Sequence, residues 1–223
     1  MEWIESVVYN RDPWFISFAL LLVVLGVVRQ SEGARLSIFL RSFFNPKLLT
    51  QQVRMERAYN RVTLPVLLIV VVQLTLFTFQ ALVHFDLMDP VPFLSGVGLI
   101  TLVVIGVAIF RSTVYWILAL TFDLMALYRR HNLQWLLHNF ILALVLLPLS
   151  IVIAFGPVEW SEPLLYIGIC SFGLTYIIRA ARLFGLAQSD IHTSWVYNVL
   201  YLCALEILPP IIVVVGVLRQ AGG

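Results

Sequence analysis

A chain of 223 residues that is 61% hydrophobic and only 12% charged, with a mean hydropathy of +0.97, is far from a soluble domain, where about a quarter of the residues are charged. The 223 residues are used up by apolar segments and short connections, which leaves no room for a separate soluble catalytic domain. A net charge of +2 says little by itself; no nucleic-acid partner is expected, and the expected class is an all-α integral membrane protein whose residues 1–223 form one domain.

The apolar runs fall at residues 13–28, 64–83, 93–110, 136–155, 164–178 and 196–218. Each approaches or reaches the roughly 20 residues that a helix needs to cross the hydrocarbon core, so six transmembrane helices are expected. The N-terminus lacks the basic n-region and small-residue cleavage site of a secretory signal, and the first span is expected to stay in the protein. After it comes the one long connection. There Leu36, Ile38, Phe39, Leu40, Phe43 and Phe44 alternate irregularly with Arg35 and Arg41 ahead of Asn45-Pro46. This pattern suggests a short interfacial helix with its aromatics in the acyl boundary and its arginines on anionic headgroups; a partner-docking helix would have the same pattern.

Residues 113–127 form a seventh apolar piece, separated from the third run only by Arg111 and Ser112. Two antiparallel spans cannot be joined by so short a link, so the piece is expected to extend the third helix toward the cytoplasm or to bend along the interface. Trp116, Asp123 and Tyr128 suit a headgroup level. Charge orients the set. The first connection carries Arg29, Arg35, Arg41, Lys47, Arg54, Arg57 and Arg61, and alternation from there adds Arg111, Arg129, Arg130, Arg179 and Arg182, so 12 of the 14 basic residues share one side. By the positive-inside rule that side is cytoplasmic, and both termini face away from it. The expected location is a bacterial inner membrane, with membrane lipid as one partner.

Motifs for enzymatic chemistry are missing: no HExxH, no GxSxG, no phosphate loop and no paired acidic motif. The chain is therefore read as a non-enzyme. Cys170 and Cys203 both lie in apolar segments and read as small buried residues rather than a disulfide framework. His131 and His138 could share a helical face, and His138 and His192 fall near one boundary, but interfacial histidines more often simply mark the boundary. No cofactor is expected. Gln73 and Gln80, one heptad apart with Thr75 and Thr78 nearby, and Asn139 in the fourth span read as packing glue.

The last run holds the strongest candidate site. Glu206 sits near the middle of residues 196–218, where insertion scales set the cost of a charge at roughly 2.5 to 3.5 kcal/mol. Its own helical face is apolar, so a partner must come from another helix, and Arg111 and Arg179 can reach inward while their stems stay in apolar surroundings. Arg111 is the first choice. Pro209 and Pro210 just beyond the acid, and Pro148 in the fourth span, each remove a backbone donor and mark candidate kinks. The constellation reads first as a structural polar tie and second as an ion or proton site, because a pathway needs several polar residues.

Leu200-Tyr-Leu-Cys-Ala-Leu-Glu-Ile-Leu-Pro209 closely resembles the C-terminal signature of an uncharacterised domain-of-unknown-function family of multi-pass membrane proteins of Bacteroidota. Asn139 with Leu146-Leu-Pro148 is similar to a proline-containing motif of that family, and Arg111 falls where it tends to carry a basic residue in a long third helix. Pro210 departs from the family, which usually has an aliphatic residue there. The resemblance implies an inner-membrane location and no particular activity. The combined reading is a structural or assembly component of a larger membrane complex, partnered by another membrane protein or by itself. The alternative is a small proton- or ion-coupled transporter using Glu206.

Overall fold

The computed structural model describes residues 11–44, 56–88, 92–121 and 125–190. Among the described residues there are five helices and no strand: α1 (Asp12–Phe44), α2 (Glu56–His84), α3 (Phe93–Thr121), α4 (Met125–Phe155) and α5 (Val158–Asp190). All five are long and apolar enough to cross a membrane. The sixth expected span, at residues 196–218, lies outside the described residues. By contacts the chain divides into two compact units, Met1–Phe172 and Gly173–Gly223; the packing below is that of the first.

The long helices follow from uninterrupted apolar sequence, because in a membrane every backbone group must be satisfied within the segment. Their lengths exceed what the bilayer requires. At 1.5 Å per residue, a helix crosses a core of roughly 30 Å in about 20 residues, whereas α3 has 29 and α4 has 31. The residues after Arg111 stay helical to Thr121, and α4 starts at Met125, so α3 and α4 form a long helical hairpin. Helix α1 is bent rather than straight. Glu32, next to Gly33, leaves the helical region at φ −131°, ψ 28°, and residues 33–44 continue as helix beyond the bend.

That second half of α1 bears on the first connection. Leu36 and Phe39 are buried in one cluster with Val66 of α2 and Leu137 and Phe140 of α4, and Leu40 and Phe43 pack against it. The ring of Phe39 lies 6.3 Å from Phe140 and that of Phe43 lies 5.1 Å from His138. These two aromatics are thus taken up by the protein, while Ile38 and Arg41 are exposed.

Helices α2 and α4 form the centre: 50% and 44% of their apolar windows are buried, against 22% for α1 and 11% each for α3 and α5. They run in the same direction. At one end Trp14 of α1 lies against Phe79 and Phe93, at 5.7 and 4.8 Å between rings, and Phe18 lies 6.3 Å from Phe155. Offset and edge-to-face arrangements at such distances are the favourable ones for aromatic quadrupoles. At the other end sits the Phe43–His138 contact. The first half of α5 packs through Leu165, which is buried with Phe77, Leu142 and Leu146. Gly168 permits this approach, because a Cβ there would meet the Phe77 ring.

Helix α2 closes with a Schellman motif. Leu87 N–H donates to Leu82 O at 3.0 Å, Asp86 N–H donates to Val83 O at 3.3 Å, and Asp86 takes the left-handed conformation at φ 52°. This satisfies carbonyls that a helix end would otherwise leave open.

Candidate functional site

Three polar groupings lie within the first unit, and each is explained by which helix faces it. The first joins α2 to α4. Gln73, Ser150 and Gln80 are buried at 0%, 0% and 6% exposure. The Gln73 amide donates to Ser150 Oγ at 2.9 Å, and the Gln80 amide donates to the Ser150 carbonyl at 2.9 Å. One serine therefore receives two amides placed a heptad apart, which ties the two central helices in a fixed register. Thr75 adds a weaker link to α3, accepting from Thr101 Oγ1 at 3.4 Å.

Gln134 and His138 make up the second grouping, one turn apart near the start of α4. Both are buried, and the His138 ring nitrogen Nδ1 lies 2.7 Å from the Gln134 carbonyl. A carbonyl only accepts, so Nδ1 carries the proton in this contact. Between this pair and Ser150 the seam is apolar: Val66, Ile69 and Val70 face Phe140, Ala143 and Leu146, all at most 1% exposed.

The third grouping is the α3–α4 hairpin around Arg111. The guanidinium reaches His131 Nε2 at 2.8 Å and lies 5.1 Å from the ring centres of both Tyr115 and Trp135. The rings of Tyr115 and His131 are themselves 4.5 Å apart. Arginine cannot accept, so His131 Nε2 accepts in this contact and the imidazole there is neutral. Cation–π contact of this kind is worth about 0.5 to 2 kcal/mol depending on desolvation. Ser112 and Tyr128 close the next turn with hydroxyls 3.0 Å apart. Between these side chains lies a small cavity of about 20 Å³, room for roughly one water.

Set against known proteins, the family model for the domain of unknown function DUF4271 matches residues 14–217. The chain belongs to that family. No curated protein and no solved structure matches it. Membership extends the expected resemblance over almost the whole DUF4271 chain and brings no activity with it.

The expected site residues divide accordingly. Glu206, Pro209 and Pro210 lie outside the described residues, and so does any contact of Arg111 with Glu206. Among the described residues Arg111 meets His131, Tyr115 and Trp135. Arg179, in the second unit, is buried with its guanidinium 5.7 Å from the Tyr176 ring; in the same unit, desolvation lowers Arg182 below the ordinary arginine value. Gln73 does reach across to a neighbouring helix. Asn139 donates to the Trp135 carbonyl of its own helix at 2.8 Å, a back-bond rather than an interhelical tie. Pro148 sits inside α4, two residues before the serine that takes both glutamines.

Two partners escaped the sequence reading. His131 reads from sequence only as a boundary residue, and its contact with Arg111 depends on the turn from α3 back into α4, which an extended third helix does not suggest. Ser150 gave no signal beyond its place among apolar residues. Among the described residues no group of three His, Cys, Asp or Glu side chains is placed to hold a metal ion.

Proposed function

We propose that this DUF4271 protein is a non-enzymatic structural or assembly component of a complex in a bacterial inner membrane, with six spans and both termini outside the cytoplasm. The observation that carries this reading is the interrupted seam between α2 and α4. A conduction path needs polar groups in continuous succession, but His138 and Ser150 are 12 residues apart on α4, roughly 18 Å of helix rise, and tightly packed apolar side chains fill the interval. Arg111 fits the same reading, because among the described residues the rings of Tyr115, His131 and Trp135 hold its guanidinium between α3 and α4. In this view Glu206 is a further tie rather than a proton carrier.

Solubilisation of the tagged full-length protein in mild detergent tests the proposal. A second membrane protein, or a second copy of the chain, should co-purify in fixed ratio. A protein that runs alone as a monomer under conditions that preserve other membrane complexes contradicts it. Orientation is tested separately in a background lacking Cys170 and Cys203. Cysteines at Thr50 and Gln188 should be protected from an impermeant thiol reagent in intact cells, and ones at Asp89 and at the exposed Glu159 should react. The reverse pattern overturns the topology.

A further inference from the structure

We propose that the tip of the α3–α4 hairpin beyond Arg111 is an interfacial anchor, with the apolar flank of α3 in the acyl–headgroup boundary and the polar flank of α4 toward water. Which leaflet this is rests on the proposed topology; the lipid contact does not. Leu102, Ile105, Ile109, Thr113, Trp116 and Leu120 follow one another at three or four residues along α3 and so share one face, and all six are exposed. The stripe passes the level of Arg111 without a charge. Thr113 is its one polar member, and a helical threonine can return its hydroxyl proton to a carbonyl of its own helix. Beyond that level Trp116, Ile117 and Leu120 are still 46%, 51% and 51% exposed.

The other half of the hairpin shows the opposite surface. Among the described side chains from Met125 to Asn132 of α4, the exposed ones are Arg129 and Asn132. An element that is apolar on one flank and polar on the other suits the membrane boundary. A protein partner would also cover an apolar flank, but continuity favours lipid: the stripe that faces the acyl chains at Leu102 and Ile109 keeps its character past the boundary. Trp116 suits that layer, where an indole has an apolar body in the acyl chains and an N–H among headgroups. The length of α3 fits as well. The rise from Phe93 to Leu120 is about 40 Å at 1.5 Å per residue, against roughly 30 Å of hydrocarbon and a headgroup layer of about 5 to 7 Å on each side. With Phe93 at one edge, an upright helix would carry Leu120 into water. A tilt of about 30°, inside the roughly 0 to 40° range of spanning helices, shortens the rise to about 35 Å and keeps Leu120 in the headgroup layer.

The test places one spin label at a time on the full-length protein lacking Cys170 and Cys203, at Ile117→Cys, Leu120→Cys, Leu102→Cys or Asn132→Cys, in liposomes of phosphatidylethanolamine and phosphatidylglycerol. Electron paramagnetic resonance reads collisions of the label with oxygen, which partitions into lipid, and with a neutral nickel complex, which stays in water. The expected result is an oxygen-to-nickel ratio at Ile117→Cys and Leu120→Cys that is shifted toward the value at Leu102→Cys and exceeds the value at Asn132→Cys. A ratio at or below that of Asn132→Cys puts the tip in water and overturns the anchor. Few collisions with either reagent at Ile117→Cys and Leu120→Cys show a flank covered by protein and overturn lipid as the partner.

Discussion

Helices α3 and α4 are neighbours in one hairpin, yet they carry opposite relations between hydropathy and burial. The α3 window has the higher mean hydropathy, 2.6 against 2.4, but only 11% of it is buried, against 44% in α4. On α3, Leu94, Leu102 and Phe110 are 83%, 71% and 66% exposed, whereas Ser150 on α4 is fully buried. In water the ranking would be reversed. In lipid, an aliphatic side chain gains nothing by leaving the acyl chains, so the most apolar helix is free to be peripheral. A polar side chain has nowhere to go but another helix. The buried glutamines, serine and histidine therefore mark the inside of this bundle more reliably than its leucines do.

That contrast can be broken by substitution. Leu146→Ala, at a position with no exposure, should cost about 2 to 5 kcal/mol, since a buried cavity opens. Leu102→Ala on α3 should stay within about 0.5 kcal/mol, as exposed substitutions do. Unfolding in mixed micelles measures both, and equal costs would refute the assignment of centre and periphery. Gly168→Ala should cost about 1 to 3 kcal/mol through overpacking against the Phe77 ring, and Phe77→Leu in the same chain should return part of it. Gln73→Leu removes one of the two amides on Ser150, and interhelical hydrogen bonds in membranes average about 0.6 kcal/mol. A Gln73→Leu protein more stable than the parent would show that the tie is not net favourable. Smallest is Asp86→Gly, which should stabilise by less than about 1 kcal/mol, because glycine takes the left-handed conformation without the Cβ penalty.

Hydropathy alone identified the helical class and the five described spans. The reason is that spanning helices follow from local sequence, without knowledge of their neighbours. The bend at Glu32 was not legible. No proline marks it, and it becomes intelligible only through the side chains of Leu36, Phe39 and Phe43 that it turns onto α2 and α4. The lipid reading of those aromatics failed to foresee this, since an amphipathic pattern reports an apolar face and not what covers it. Arg111 was singled out as the partner of Glu206, a pairing that lies outside the described residues. Its partner His131 was missed because a search for a carboxylate overlooks the neutral ways of holding a guanidinium, an imidazole lone pair and two aromatic faces.

Proton flux separates a protein whose polar residues tie helices from one whose polar residues conduct. Full-length protein reconstituted in liposomes with an imposed pH gradient should hold that gradient as long as protein-free liposomes do, and Glu206→Gln should change nothing. A gradient that collapses faster with the wild-type protein, and is restored by Glu206→Gln in a protein that still folds, would contradict the account and make Glu206 a proton carrier.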